Sequence, residues 1–179
     1  LLTGTTGDTL LDGADYMDWT IKRGRLNRFY QALHWPEFEG CNLVQKLMDD
    51  TRYGREAQFA GPDGANLNVL TPLAAARLMW SVFDGDLPAV PAVARLRAQT
   101  ALRRSASSPH AALPQYQLSE YLGGALPDGV EIWSKAGHNL WTGDPRASWY
   151  KHDMIRLLAE GRQPLTVVLM TQGQALAET

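Results

Sequence analysis

The chain has few of the residues that build disulfides, metal sites and membrane spans. Cys41 is the only cysteine among the 179 residues, so the chain can form neither an internal disulfide nor a cysteine-based zinc site. The histidines lack the HxxxH and HExxH spacings of metal-binding helices. They are His34, His110, His138 and His152. The longest strongly apolar segment, 165–170, is far shorter than the roughly 20 residues that cross a bilayer. The sequence therefore predicts no metal, no cofactor and no membrane span.

A surplus of positive charge is also missing. The chain carries 17 Lys and Arg against 19 Asp and Glu, a net charge of −2, which argues against a nucleic-acid partner. The densest arginine region, 95–104, is expected to form the solvated face of a helix. Hydrophobic residues make up 45 %, as in ordinary globular proteins, and the length suits one domain or two small lobes.

Apolar spacings of three and four residues predict a mainly helical region over residues 1–126. Helices are expected at 10–22, 26–34, 42–50, 72–84, 91–104 and 113–122. Thr71 is predicted to be an N-cap, with Pro72 at the first helical position. The core face of that helix is predicted to carry Leu73, Ala76, Met79, Trp80 and Phe83. Residues 51–70, rich in Gly, Pro and Asn, predict a long Ω-like loop, a type that is often functional.

The pattern changes to strands in residues 127–179. Strands are predicted at 129–134, 147–157 and 164–170, with turn signals between them. Successive strands this close together predict an antiparallel meander. The predicted fold class is therefore α+β, a helical region followed by a three-stranded antiparallel sheet.

Lys135-Ala136-Gly137 follows the first predicted strand and is the most informative short segment. Alternation places Glu131, Trp133 and Lys135 on one face of the strand, which Ala136 and Gly137 are predicted to end. A lysine at the rim of a sheet can bind an anion, and a glycine lets a substrate backbone approach closely. The same tripeptide is also typical of a solvated turn, so both interpretations are open.

The order of these elements resembles the serine β-lactamase and penicillin-binding-protein superfamily. Helices are followed by an irregular loop with Arg55-Glu56, a Thr71-Pro72 helix, and a strand that ends in Lys-x-Gly. The similarity is greatest to the class A β-lactamase-like branch and covers residues 10–173. It implies a β-lactamase/transpeptidase-like fold, and an extracytoplasmic (periplasmic or secreted) location.

The resemblance implies roles for particular residues. Lys135-Ala136-Gly137 matches the Lys-Thr-Gly motif, which implies that Lys135 binds the substrate carboxylate and that all three residues line the substrate site. Ala136 lacks the hydroxyl of the family's threonine. Glu56 matches the glutamate that activates the deacylating water as a general base. The alternative for Glu56 is an exposed pair with its neighbouring arginine.

Two family motifs are not matched. Thr6-Gly7-Asp8 stands near the expected place of Ser-Asp-Asn, and Ser148-x-x-Lys151 falls in a predicted strand, where its two side chains face opposite sides. We therefore expect this chain to be a piece of a longer protein. The piece is expected to lack the nucleophile segment and the helix that covers the sheet. A partner chain is a candidate to cover that sheet face.

Two functional hypotheses follow. The first is a serine hydrolase that acts on β-lactams or D-Ala-D-Ala-type amides through an acyl-enzyme, with Glu56 and Lys135 as catalytic residues. The second is an inactive domain of the same fold that binds a peptidoglycan-type peptide or a protein partner. Tryptophans around the sheet, including Trp133, Trp141 and Trp149, could form a binding surface or a core. The predicted substrate or ligand is a small molecule or a peptide, and a protein partner is the further alternative for the inactive domain.

Overall fold

The computed structural model describes residues 10–44, 54–85 and 90–179. These form two compact units, Leu1–Ala74 and Ala75–Thr179. The helices are α1 (Gly13–Arg23), α2 (Arg25–Ala32), α3 (Gly54–Ala60), α4 (Pro72–Asp84), α5 (Ala92–Leu102) and α6 (Gln174–Ala177). The strands are β1 (Arg103–Arg104), β2 (Glu131–His138), β3 (Tyr150–Leu158) and β4 (Leu165–Gln172). No helix of the described ranges is both long and apolar enough to cross a membrane. The lobe boundary predicted at 126/127 stays a prediction.

The first unit is built around a small aromatic core. Trp19 of α1 and Phe59 of α3 pack edge to face, with ring centroids 5.3 Å apart and planes at 90°. Val44 completes the buried cluster, and Leu11 and Tyr16 pack against it. This contact joins the α1 region to a segment 40 residues further along the chain, which sequence periodicity alone does not indicate.

Part of the segment predicted to be an Ω-like loop is helical. Within 51–70, residues Gly54–Ala60 form α3, because Glu56, Phe59 and Ala60 recur at helical spacing and are all buried. The following loop is held by Asn66, whose Nδ2 donates to the Phe59 carbonyl at 2.8 Å. Residues 51–53 lie outside the described part. The helix predicted at 42–50 is also wrong over 42–44, where Asn42 forms a bridge with Val69; residues 45–50 are not described.

The N-cap of α4 is confirmed, and its predicted core face is confirmed only in part, at Met79 and Phe83. The amide of Ala74 donates to Thr71 Oγ1 at 3.1 Å, and Pro72 is the first helical residue. The buried side chains are small or flexible ones, namely Ala74, Ala75, Met79 and Ser81. Leu73 and Trp80 are exposed instead, and the Arg77 guanidinium lies over the Trp80 ring at 4.5 Å. A stacked arginine lets a large ring remain at the surface.

The sheet of the second unit has four described strands, not three. They lie in the order β1-β2-β3-β4, and the predicted antiparallel meander of β2, β3 and β4 is confirmed. The additional strand, β1, forms where the helix predicted at 91–104 ends two residues early. Arg103 lies over the Trp133 ring at 5.4 Å and pairs with Glu131 at 2.8 Å. These contacts come from a strand distant in sequence, so no local pattern predicts β1.

Strand β2 continues beyond its predicted end. Lys135, Ala136 and Gly137 pair with Met154, Asp153 and His152 of β3, so the tripeptide lies within a strand and does not end one. Pairing with β3 provides hydrogen-bond partners for the backbone of Gly137. This gain outweighs the weak strand propensity of glycine.

Both faces of the sheet are packed around β2 and β3, whereas Leu165 and Leu169 of β4 are exposed. Leu118, Ile132 and Ile155 form the buried cluster on one face. On the other face, Phe83 of α4 packs on Trp133 at 5.1 Å between ring centroids, and Asp84 pairs with Arg156 at 3.2 Å. The helix predicted at 113–122 is reduced to a short 3-10 turn, Pro114–Tyr116, because the following residues lie irregularly against the sheet.

Candidate functional site

Lys135 lies on an unpaired part of the β2 edge. Strand β1 pairs with Ile132 and Trp133 only, so β2 has no described neighbour on that side from Ser134 onward. Lys135 is exposed, and its Nζ donates to Gln117 Oε1 at 3.3 Å and to the Ala136 carbonyl. The amino group is therefore held at the strand edge, and its contact with the Gln117 side chain fixes its orientation.

Arg104 adds a second cation to this edge. Its Nε donates to the Tyr116 carbonyl at 3.2 Å, and its guanidinium lies over the Tyr116 ring at 5.3 Å. The pKa of Lys135 is lowered, first by burial of its amino group and then by the positive charge of Arg104. Two neighbouring cations at a strand edge form a site suited to an anion such as a carboxylate. Sequence reasoning placed Arg104 on a solvated helix face and missed it.

Asp153 lies opposite Ala136 in the β2–β3 register. It is only 4 % exposed, and its Oδ2 accepts a hydrogen bond from the Leu122 amide at 3.0 Å. Within the described ranges, its Oδ1 has no hydrogen-bond partner. Burial raises the pKa of Asp153, while the Leu122 and Met154 amides and the charges of Lys135 and Arg104 oppose that rise. The signal available in the sequence was an acidic residue in the middle of a predicted strand.

Replacing Asp153 with Asn is expected to stabilise the protein at neutral and alkaline pH. A carboxyl whose pKa is higher in the folded state binds more protons when folded, so its ionisation lowers stability as pH rises above the ordinary value of about 3.9. The amide oxygen of Asn can still accept from Leu122. Thermal unfolding from pH 3 to pH 8 checks this: the Tm advantage of Asp153→Asn should be greatest at pH 8 and vanish toward pH 3. A constant or reversed difference contradicts it.

Ala136 and Gly137 offer different features to a ligand. The Ala136 methyl is buried on the core face with Ile132 and Ser134, so only its backbone can face a substrate. A Cβ added to Gly137 would meet no heavy atom within 4 Å in the described structure. The backbone of this glycine is thus open to close approach, as expected of a residue that lines a site.

Glu56 lies in the first unit, and Lys135 in the second. The catalytic roles of Glu56 and Lys135 remain predictions. Glu56 is buried and forms an ion pair with Arg23 of α1, whose Nη2 donates to its Oε1. Arg23 also lies over the Trp19 ring at 5.0 Å, and burial lowers its pKa. The partner of Glu56 is thus 33 residues away in sequence and is not the adjacent Arg55.

Ser148 and Lys151 do not form a nucleophile and lysine pair. Ser148 is fully buried; its Oγ accepts from the Thr142 amide at 2.9 Å and donates to the Asp144 carbonyl at 2.6 Å. Lys151 lies in β3 with its Nζ over the Tyr121 ring at 5.3 Å. The serine therefore has a structural role in the β2–β3 connection, and the sequence match to Ser-x-x-Lys is coincidental.

Comparisons with known proteins identify the fold. No family model matches the chain, and no curated protein matches it significantly. A β-lactamase structure from Burkholderia vietnamiensis is similar, with 18 % identity and a TM-score of 0.52 over 90 % of this chain and 51 % of that one. A mutant of the class A β-lactamase of the last common ancestor of Gram-negative bacteria has 19 % identity and a TM-score of 0.50, with coverage of 90 % and 51 %. The chain thus spans about half the length of these structures. The resemblance expected from the sequence is confirmed at the level of structure: the chain has the α+β fold of part of a class A β-lactamase.

Proposed function

We propose that this chain is the carboxylate-binding part of a β-lactamase-like serine hydrolase. One observation carries the proposal: within a β-lactamase fold, Lys135 lies on the open edge of β2, just beyond the two residues with which β1 and its Arg104 pair. The substrate class is a β-lactam or a D-Ala-D-Ala-type amide, which has a carboxylate next to the reacting bond. Two positively charged side chains near this edge favour such a group.

The proposal assigns a role to each part of the edge. Lys135 binds the carboxylate, Arg104 adds positive potential, and the backbone of Ala136 and Gly137 pairs with the extended substrate. A serine from a segment outside these residues attacks the amide carbonyl carbon, and the C–N bond breaks as the nitrogen takes a proton. Water then hydrolyses the acyl ester. Glu56 is the proposed base for that water.

A second candidate is a domain of this fold that binds a peptidoglycan-type peptide or a protein without turnover. It is favoured by the engagement of Glu56 with Arg23, because one carboxylate oxygen is already committed to that buried contact. The missing hydroxyl at Ala136 supports the same hypothesis. In this case Lys135 and Arg104 would still bind an anionic group.

Intact mass after incubation with a fluorescent penicillin separates the two functions. On the longest natural form of the protein, the hydrolase proposal expects one covalent adduct per molecule. On this chain alone we expect none, because the serine of its single Ser-x-x-Lys is buried. No adduct on the longer form would overturn the penicillin-reactive hydrolase and favour the binding domain. Fractionation of the source cells tests the extracytoplasmic location that accompanies the proposal.

Variants of the β2 edge test the carboxylate site itself. In the longer form, Lys135→Ala is expected to slow acylation by about 10- to 100-fold, because a charge-assisted contact to the substrate is lost. Gly137→Ala should slow acylation without lowering Tm, since its added methyl meets no protein atom. Lys151→Ala removes the same charge from β3 and serves as the control, with an expected change below about twofold. Equal effects of Lys135→Ala and Lys151→Ala would contradict the assignment.

A further inference from the structure

The tryptophans around the sheet divide into a packed one and an exposed pair. Trp133 is half-buried, because Phe83 packs on its ring at 5.1 Å and Arg103 lies over it at 5.4 Å. Trp141 is 56 % exposed, and Trp149 lies beside it, with ring centroids 6.3 Å apart and planes at 33°. The Trp141–Trp149 pair therefore presents aromatic surface to solvent, and the proposed hydrolase gives it no role.

Hydrogen bonds hold the connection that carries this pair, residues 139–149, in one conformation. Asn139 joins its two ends: its Nδ2 donates to the Ala147 carbonyl at 2.7 Å, and its Oδ1 accepts from the Tyr150 amide at 2.8 Å. The contacts of the buried Ser148 side chain, described above, fix the middle of the connection. The pair is thus preorganised, so a ligand would order little of the chain on binding.

The backbone of Trp149 is strained in a way that directs its ring. Its φ is +64°, a left-handed conformation that bulky residues rarely adopt. Two backbone hydrogen bonds keep it there: the Trp149 amide donates to the Leu140 carbonyl at 3.3 Å, and its carbonyl accepts from the Gly173 amide at 2.8 Å. Strain of this kind is concentrated at functional sites, and here it holds the Trp149 ring beside Trp141.

The segment between the two tryptophans is polar, which bears on what the pair can bind. Arg146 donates to both carboxylate oxygens of Asp144 at 3.1 Å, and its side chain is half exposed. A tip that enters a membrane or docks on an apolar protein surface would instead carry apolar residues. A pyranose sugar suits both features, because its C–H face packs on an indole ring while its hydroxyls bind polar side chains.

We propose that the Trp141–Trp149 pair binds a glycan through a pyranose ring with equatorial substituents, of the glucose or N-acetylglucosamine type. The C–H face of the sugar stacks on the exposed part of the Trp141 ring, whose position Trp149 fixes. Leu140, also exposed, extends the apolar surface, and the sugar hydroxyls meet the polar segment 142–148. The site needs no acylation, so this proposal and the proposed hydrolase can fail separately.

Titration of this chain with cellotriose and with chitotriose, followed by NMR, tests the proposal. The indole NH signals of Trp141 and Trp149 are assigned with Trp141→Phe and Trp149→Phe. We expect a saturable shift of both signals in the millimolar range with at least one trisaccharide, as one stacked sugar gives weak binding. The tighter ligand distinguishes a glucan from an N-acetylglucosamine polymer as the source. No saturation by either up to about 50 mM overturns the proposal.

Variants of the exposed ring make the test specific, with the Trp149 signal as the readout. Trp141→Ala is expected to weaken binding at least about tenfold, whereas Trp141→Phe keeps a smaller ring face and should weaken it only about two- to fourfold. Trp80→Ala removes another exposed tryptophan of the second unit and serves as the control, with a change below about twofold. Because both positions are exposed, the Tm of each variant should stay within about 2 °C of wild type. Equal losses in Trp141→Ala and Trp80→Ala would overturn the assignment.

Sedimentation with mixed phosphatidylcholine and phosphatidylglycerol vesicles tests the membrane as the other occupant. We expect the chain to remain in the supernatant, because the segment between the tryptophans carries Asp144 and Arg146 at the surface. Co-sedimentation that is lost in Trp141→Ala would overturn the proposal and assign the pair to a lipid surface.

Discussion

Replacing Glu56 with Gln is expected to lower the free energy of unfolding by about 3–5 kcal/mol. Both side chains of the Arg23–Glu56 ion pair are only 2 % exposed, within the unit whose core is formed by Trp19 and Phe59. Glu56→Gln removes the carboxylate charge that pairs with this buried guanidinium, and breaking one side of a buried ion pair costs more than the net value of the pair itself. Urea unfolding of the wild-type chain and the variant measures the difference.

Two further variants make this result specific. Replacing both partners with Met should recover most of the loss, because no uncompensated charge remains in the core. Asp18→Asn breaks the exposed Lys22–Asp18 pair of the same unit and should cost less than about 1 kcal/mol. If Glu56→Gln unfolds like wild type but its acyl-enzyme persists in the longer form, the ion pair is not structural and the general-base role is favoured.

Replacing Ile155 with Ala is expected to destabilise the protein by about 2–5 kcal/mol. Ile155 is 1 % exposed and lies in the buried cluster with Leu118 and Ile132. Its Cδ1 would lie 3.5 Å from a Cβ added to Gly123, which shows how closely the 118–126 segment approaches β3. Truncation leaves a cavity in this cluster, and its lining can collapse only in part.

Graded substitutions test this estimate by chemical unfolding. Ile155→Val removes one methylene and should cost about 0.5–1.5 kcal/mol. Leu165→Ala on β4 is the control: Leu165 is 56 % exposed, so its loss should be within about 0.5 kcal/mol of zero. Equal costs for Ile155→Ala and Leu165→Ala would show that the cluster is not the core of the second unit.

Much of the fold could be predicted from local sequence because it depends on local interactions. The helix that starts at Pro72 has its cap, its first residue and its stop within one continuous stretch. The meander of β2, β3 and β4 follows from short connections between strands. Predictions failed where a distant contact outweighed local preference. Arg103 and Arg104 continue a helical pattern in the sequence, yet they form a strand because they pair with Trp133 and Ile132 of β2.

The candidate site shows the same division. Lys135 and Gly137 were found from their place in a short motif. Gln117, Arg104 and Asp153 were missed, since they reach the site from 18 to 31 positions away in the chain. Asp153 could have been flagged as an acidic residue in the middle of a predicted strand, but only the β2–β3 register places it opposite Ala136.

By itself the sequence determined that the chain has one cysteine, that Ala136 brings no hydroxyl to a Lys-x-Gly segment, and that helices precede an antiparallel sheet. These are properties of composition and of neighbouring residues. The tertiary structure alone decided that Glu56 pairs with Arg23 and that the charge of Arg104 lowers the pKa of Lys135. Such contacts depend on which distant segments meet when the chain folds. The burial that results lowers the pKa of Lys135 and raises the expected cost of replacing Glu56.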